Sequence, residues 1–236
     1  GFIKSILPLF SKALLTDDNN IDYSLRHRFF KRFSYFILNR EKKYINKFIQ
    51  PFVDNFSNSR EMASFFQELI SVEDKLNKYE EFWTVWNLFY DRIVETCKKH
   101  RSNPYTKEII HNYLLAWQWW EENAKEWHTL KEREKLFFKR VEEDIGYHPS
   151  VLYSISKVLN DIGNNFIDDG VIWISNILQK NNQLTSQELE SKTIYYIENI
   201  IRQYILKNRQ KIKTSLQIKN QVIVILSFLV ERGSIT

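Results

Sequence analysis

The residue types that could bind a metal ion occur in this sequence only as isolated pairs. Glu108 and His111 form a single E-x-x-H motif, whereas di-iron bundles carry that motif twice and add a glutamate from each of two further helices. Cys97 and His100 are three residues apart, but a structural zinc site needs four ligands. A solvated helix face explains the first pair, and a buried cysteine beside a surface histidine explains the second. We therefore expect no bound metal.

Motifs for nucleophilic catalysis and phosphate binding are absent from the sequence. It contains no glycine-rich phosphate loop, no H-E-x-x-H, no paired C-x-x-C and no G-x-S-x-G. The adjacent acids Asp17–Asp18 and Asp168–Asp169 point in different directions on a helix and form no metal-binding face. We expect no catalytic residue and no cofactor. A helical enzyme whose catalytic carboxylates come together only in the folded protein is one of three functional hypotheses; the other two are a protein-interaction module and a nucleic-acid-binding protein.

Aromatic residues offer a different chemistry, that of a protein-binding surface. Six of the seven tryptophans fall between residues 83 and 127. At helical spacing Trp117, Trp119 and Trp120 cannot all face one core, and Trp119 is the one that points elsewhere. It either packs on a neighbouring helix or anchors a protein partner, because tryptophan is enriched at binding hot spots.

Two basic regions could bind an acidic protein surface or a nucleic acid. The net charge of the chain is +5, but residues 26–48 carry eight cations against Glu41 alone. Residues 202–219 carry six cations and no acid. Solvated helix faces are the alternative explanation. The cations of the second region are Arg202, Lys207, Arg209, Lys211, Lys213 and Lys219.

The first basic region contains the most sharply defined candidate surface. On a helix over residues 24–39, the apolar side chains share one face, and Arg28, Lys31, Arg32 and Tyr35 occupy the opposite one. Three cations around a tyrosine can pair with carboxylates and stack on a flat group. We expect this face to contact an acidic partner surface.

The elements that must position these residues are helices. Only five glycines and four prolines occur in 236 residues, where average usage predicts about 28; sheet architectures with tight turns need more glycine than that. Apolar residues make up 43% of the chain, enough for a substantial core. Periodicity and capping signals predict helices over 62–70, 79–97, from Pro104 onward, 129–145 ended by a left-handed Gly146, 149–162, 185–208 with a Thr185–Glu188 capping box, and 215–232 ended by Gly233.

Short connections between these helices predict antiparallel neighbours along the chain. We expect an all-α fold, either an irregular α-solenoid of HEAT-like stacked hairpins or a compact multi-helix bundle. Residues 1–236 form one all-α region, with weak subdivisions at 121–124 or 179–184. The β-prone run Val222–Val230 has no second strand to pair with. It therefore indicates a helix, either buried on most sides or continued by a missing neighbouring segment.

The ends and the cysteine content suggest the context of the chain. Position 1 is Gly rather than Met, which predicts that the sequence is a fragment of a larger protein. The single cysteine forms no internal disulfide, which favours the cytoplasm. No run approaches 18 apolar residues, so we expect no membrane span.

Three short stretches resemble a known family. Phe82-Trp83-x-x-Trp86, Tyr90-Asp91-Arg92-Ile93 and the ending Phe228-Leu-Val-Glu-Arg-Gly-Ser234 are similar to the C-terminal helical regions of large bacterial STAND-type ATPases, including the anti-phage AVAST class. The resemblance implies a helical-repeat sensor that grips a phage protein, with the nucleotide-binding motifs elsewhere in the parent. The sequence thus predicts a non-catalytic sensor or interaction module. The alternative is a helical nucleic-acid-binding protein that uses residues 26–48 and 202–219.

Overall fold

The structure is a computed structural model that describes residues 79–99, 106–111, 113–114, 132–161, 168–182, 189 and 192–234. Of these described residues, 89% are helical and none lies in a β-strand. The predicted all-α fold is confirmed, and it is compatible with both a bundle and a solenoid. Contacts divide the chain into two compact units, Gly1–Glu122 and Asn123–Thr236.

In the first unit the structure describes one long helix and part of another. Helix α1 spans Tyr79–Lys99 and buries Phe89, Tyr90, Ile93 and Cys97 on the stripe that the sequence predicts. Residues 106–111 and 113–114 are helical again and bury Ile109, Ile110, Tyr113 and Leu114. The predicted helix start at Pro104 and the predicted helix over 62–70 lie outside the described residues.

The second unit holds six described helices. They are α2 (Glu132–Ile145), α3 (Pro149–Asp161), α4 (Asp168–Lys180), α5 (Thr193–Lys207), α6 (Arg209–Thr214) and α7 (Leu216–Glu231). Pro149 is the first residue of α3, as its fixed φ and missing N–H favour.

The helices of the second unit stack as two pairs. Helix α3 packs on α4 and α5 packs on α7, while the more extensive contacts join α3 to α5 and α4 to α7. Helix α2 covers α4 and α3. The prediction that consecutive helices are neighbours is therefore wrong for α4 and α5, whose principal partners are α7 and α3. Burial of apolar faces decides which helices pack together, and a connection of about a dozen residues allows α5 to bypass α4.

A buried polar contact ties α2 to α4. Glu142 on α2 is almost fully buried, and its Oε1 lies 2.7 Å from Lys180 Nζ on α4. Asn176 Nδ2 donates to Glu142 Oε2 at 3.3 Å, and Asn181 Nδ2 donates to the Gly146 carbonyl at 2.6 Å. Pairing and hydrogen bonding offset the cost of burying this carboxylate.

Gly146 and Gly233 each follow the end of a helix, and glycine is favoured at the two positions for different reasons. Gly233 has φ 67°; its N–H bonds to the Val230 carbonyl and that of Ser234 to the Leu229 carbonyl, which is a Schellman motif. Gly233 is therefore confirmed as the stop of α7. The left-handed conformation predicted for Gly146 is wrong, since Gly233 is the one described glycine with positive φ. Glycine is needed at 146 for space instead, because a Cβ there would lie 2.2 Å from the Glu142 carbonyl oxygen.

The predicted helix over 185–208 is wrong at its start. Helix α5 begins at Thr193 with no side-chain cap from Lys192, and residue 189 is a bend. The capping-box residues Thr185 and Glu188 lie outside the described part of the chain. The first described residue of α5 that is buried is Thr193, so packing rather than a local capping signal sets where the helix begins.

The predicted helix over 215–232 is confirmed. Ser215 caps α7, and its Oγ accepts a hydrogen bond from the Ile218 N–H at 3.3 Å. The β-prone run 222–230 lies entirely within this helix. Neither α4 (Asp168–Lys180) nor α6 was predicted from the sequence; α6 is a single helical stretch between the break at Asn208 and the cap at Ser215.

Candidate functional site

The residues predicted for the first partner-binding surface lie outside the described residues. These are Arg28, Lys31, Arg32 and Tyr35, together with Trp119 and the whole basic region 26–48. Their roles remain predictions. The second basic region, 202–219, is described completely, and the candidate site is built from it and from α7.

The residues first considered for metal chemistry are described only in part. Burial raises the pKa of the Cys97 thiol to about 12, so at neutral pH the thiolate that binds metals and attacks electrophiles is scarce. Glu108 is exposed, and His100 lies outside the described residues. Within the described ranges, no three His, Cys, Asp or Glu side chains are grouped so that they could hold a metal ion.

Asp168 joins three helices through its carboxylate. It is the first residue of α4, its Oδ1 accepts a hydrogen bond from Tyr204 Oη on α5 at 2.5 Å, and its Oδ2 pairs with Lys211 on α6. Burial by itself raises the pKa of Asp168, but the hydrogen bonds from Lys211 and Tyr204 and the charge of Lys211 outweigh it, so the pKa lies below its ordinary value. This carboxylate positions α6 against the rest of the unit.

Among the described residues, two of the six cations of region 202–219 pair with a carboxylate that the structure also describes. Lys211 pairs with Asp168, and Arg202 pairs with Glu198 one turn earlier on α5 at 2.9 Å. The basic character that the sequence assigns to the whole region is therefore concentrated on fewer side chains. Lys207, Arg209, Lys213 and Lys219 are all exposed.

Helix α6 presents a cationic edge to solvent. It has no buried residue. Because Arg209 and Lys213 are four residues apart, they share one face, and Lys211 extends from the other side to Asp168. None of the described carboxylates pairs with Arg209 or Lys213.

Helix α7 has two apolar faces, of which the unit covers one. Ile218, Val222, Ile225 and Leu229 are buried and form the inner face, which packs mainly on α4. On the outer face Leu216, Ile223 and Val230 are 73%, 47% and 56% exposed. None of the described helices covers these three side chains, so the outer face lacks a partner in the described structure. Of the two alternatives stated for the run 222–230, burial on most sides is therefore wrong, since residues 223, 227 and 230 are exposed.

The outer residues of α7 repeat every seven positions. Leu216, Ile223 and Val230 correspond to a positions of a heptad, and the exposed Lys219 and the half-buried Leu226 correspond to d positions. We call these five residues the α7 seam. The seven-residue spacing was present in the sequence, but the inner stripe 218–222–225–229 overlaps it, and only the packing shows which of the two stripes is covered.

No protein-family model matches the chain, and no characterised protein matches its sequence. The resemblance to STAND-type ATPases therefore stays a prediction. None of the described helices is long and apolar enough to cross a membrane.

Proposed function

We propose that the chain is a non-catalytic protein-interaction module, a sensor or scaffold segment of a larger protein. The observation that carries this proposal is the outer face of α7, where three large apolar side chains stand in solvent along one line. Contiguous exposed apolar surface marks interaction sites, and its burial contributes about 25 cal/mol per Å². A partner that covers the α7 seam would make apolar contacts with the outer face, as α4 does with the inner face.

The sensor role and its biological setting rest on the sequence resemblance. STAND-type ATPases of the anti-phage class use a C-terminal helical region to grip a phage protein, and we extend that role to this chain as part of the proposal. The parent protein would then act in the bacterial cytoplasm and supply any nucleotide chemistry from other domains.

Site-specific photocrosslinking tests the interaction directly. A photoreactive residue in place of Ile223 should join the chain to one discrete protein in the native host cell. The same residue in place of Leu136 is the matched control, because Leu136 is also a large exposed apolar side chain, at 66%, but lies on α2. Mass spectrometry of the adducts identifies the partner. Identical adducts from both positions, or none from position 223, would contradict the proposal.

A second candidate function, polyanion binding, is favoured by the cationic edge of α6. Arg209 and Lys213 are exposed, and phosphates could pair with both. Nucleic-acid binding weakens steeply as salt rises, with a slope of about −0.7 to −0.9 per phosphate neutralised. Replacing Arg209 and Lys213 with Ala should therefore reduce the salt slope by about two contacts.

Fluorescence anisotropy of labelled RNA and DNA oligonucleotides across a salt series measures this slope. Lys157→Ala is the control, since Lys157 already pairs with Asp161 at 2.6 Å. Equal slopes for the double variant and the control would remove the nucleic-acid alternative.

A further inference from the structure

The α7 seam has the pattern of one strand of a two-helix coiled coil. Its a positions hold Leu216 and the β-branched Ile223 and Val230, and the second d position holds Leu226. This choice of β-branched residues at a and leucine at d favours pairing with a single helix. From 216 to 230 the seam is about 21 Å long, which matches two heptads of a partner helix.

Lys219 is the exception in the seam. It occupies the first d position, between Leu216 and Ile223, and it is exposed. None of the described side chains pairs with it. A helix that docks on the seam would take the ammonium group out of water, and a desolvated charge is costly unless a countercharge meets it. A single charged residue in such a seam is also a known means of fixing register.

A second copy of this chain cannot provide that countercharge from the same seam. The one carboxylate of α7 is Glu231, which follows Val230 and therefore occupies a b position, turned away from the seam. The segment just before the seam adds Arg209 and Lys213 on α6. Parallel pairing of two copies would bring the two Lys219 side chains together, and antiparallel pairing would place Lys219 against Leu226 of the second copy, so neither arrangement supplies a carboxylate from the seam.

We infer that the α7 seam binds an amphipathic helix of a different protein, with apolar residues at its a and d positions and one glutamate or aspartate facing Lys219. This inference rests on the proposed protein-interaction function and specifies its partner. Apolar contact along the seam supplies the affinity, and the pair with Lys219 selects the partner and sets its register.

Synthetic helices of three heptads test the charge rule. Each peptide has five consecutive a and d positions that would face the five residues of the α7 seam. Four of these positions hold leucine, and the one that would face Lys219 holds Glu or Lys. That position is the second of the five if the peptide binds parallel to α7 and the fourth if it binds antiparallel. Binding to the full chain is measured by fluorescence anisotropy. One of the two Glu peptides should bind at least about tenfold more tightly than its Lys counterpart, because like charges in contact are strongly unfavourable.

Variants of the full chain complete the test. Lys219→Glu should reverse the preference, so that the Lys peptide binds more tightly than the Glu peptide. Ile223→Asp should abolish binding of both, and Leu136→Asp on α2 should change neither. Circular dichroism confirms that each variant keeps its helical signal, as substitutions at exposed positions should allow.

Several results would overturn the inference. Equal binding of Glu and Lys peptides, an unchanged preference in Lys219→Glu, or no binding of any peptide would each do so. A dimer in sedimentation velocity that Ile223→Asp dissolves would assign the seam to a second copy instead. A discrete protein crosslinked at position 223 would preserve the proposed function even if the charge rule failed, so the two failures are distinguishable.

Discussion

At the scale of single residues, Asp168 has the greatest effect on how the candidate site is held. Its carboxylate accepts a hydrogen bond from Tyr204 and pairs with Lys211, so it links the start of α4 to α5 and to α6. Burial and the nearby Asp168 carboxylate raise the pKa of the Tyr204 hydroxyl, which stays protonated and acts as the donor. The same contact that lowers the pKa of one group thus raises the pKa of the other.

Loss of the Asp168 carboxylate should make stability less dependent on acid pH. The folded-state pKa of Asp168 lies below its ordinary value of 3.8, so its contribution is complete above that value and disappears as pH falls through the folded pKa. Asp168→Asn should cost about 1–2 kcal/mol at neutral pH, and the gap to wild type should close below about pH 3.8. Urea unfolding at several pH values measures this, with Asp169→Asn as the control. A gap that does not narrow as the pH falls below 3.8 would contradict the assignment.

The two glycines at helix ends should respond differently to alanine. At Gly146 a Cβ would lie 2.2 Å from a backbone oxygen, and backbone cannot yield cheaply, so Gly146→Ala should cost about 2 kcal/mol or more. At Gly233 a Cβ meets open space and the cost is the left-handed conformation alone, about 1 kcal/mol. Denaturant midpoints at constant m-value report the difference. A smaller cost at 146 than at 233 would show that the turn relaxes.

At the scale of elements, the two faces of α7 give a matched comparison. Ile225 is fully buried on the inner face, whereas Ile223 is about half exposed on the outer one. Ile225→Ala should lower the free energy of unfolding by about 2–5 kcal/mol. Ile223→Ala should change it by no more than about 0.5 kcal/mol. Similar losses at both positions would mean that the outer face is covered in the folded chain.

At the scale of the whole molecule, the second unit should fold without the first. Asn123–Thr236 is compact in its own right, and its described helices share a core drawn from α2, α3, α4, α5 and α7. The fragment 123–236 should therefore give a helical circular-dichroism spectrum and one cooperative thermal transition. A broad transition with strong binding of a hydrophobic dye would show instead that the unit depends on the rest of the chain.

Much of this fold could be predicted from local signals in the sequence. The stripe Phe89–Ile93–Cys97, the first-turn proline at 149, and the predicted start near Ser215 and stop at Gly233 of α7 all mark their helices correctly. Each of these signals acts within a few residues, and capping geometry and the helical period are local properties. These signals could be recognised in the sequence because they do not depend on residues far away in the chain.

The remaining features depend on contacts between distant residues. The start of α5 at Thr193 and the separation of α6 from α5 are set by packing and by the Asp168–Lys211 pair, which spans 43 positions. For the same reason the α7 seam could not be chosen from sequence, because α7 has apolar residues on both faces and only α4 decides which is the inner one. Likewise, Lys211 could not be distinguished from the other cations of 202–219 by sequence, because its partner Asp168 is distant in the chain.

The stacking of α4 under α7 has a consequence for how a partner would attach. The inner face of α7 meets α4, and at 100° per residue the seam lies about 110° around the same helix, on its flank. A helix seated on the seam would therefore pack beside α7, at an angle to the α4–α7 pair, and would be contributed by another molecule. Binding at this surface would use the same packing of apolar helix faces that forms the core of the unit. Helix α7 would then take part in folding through one face and in binding through the other.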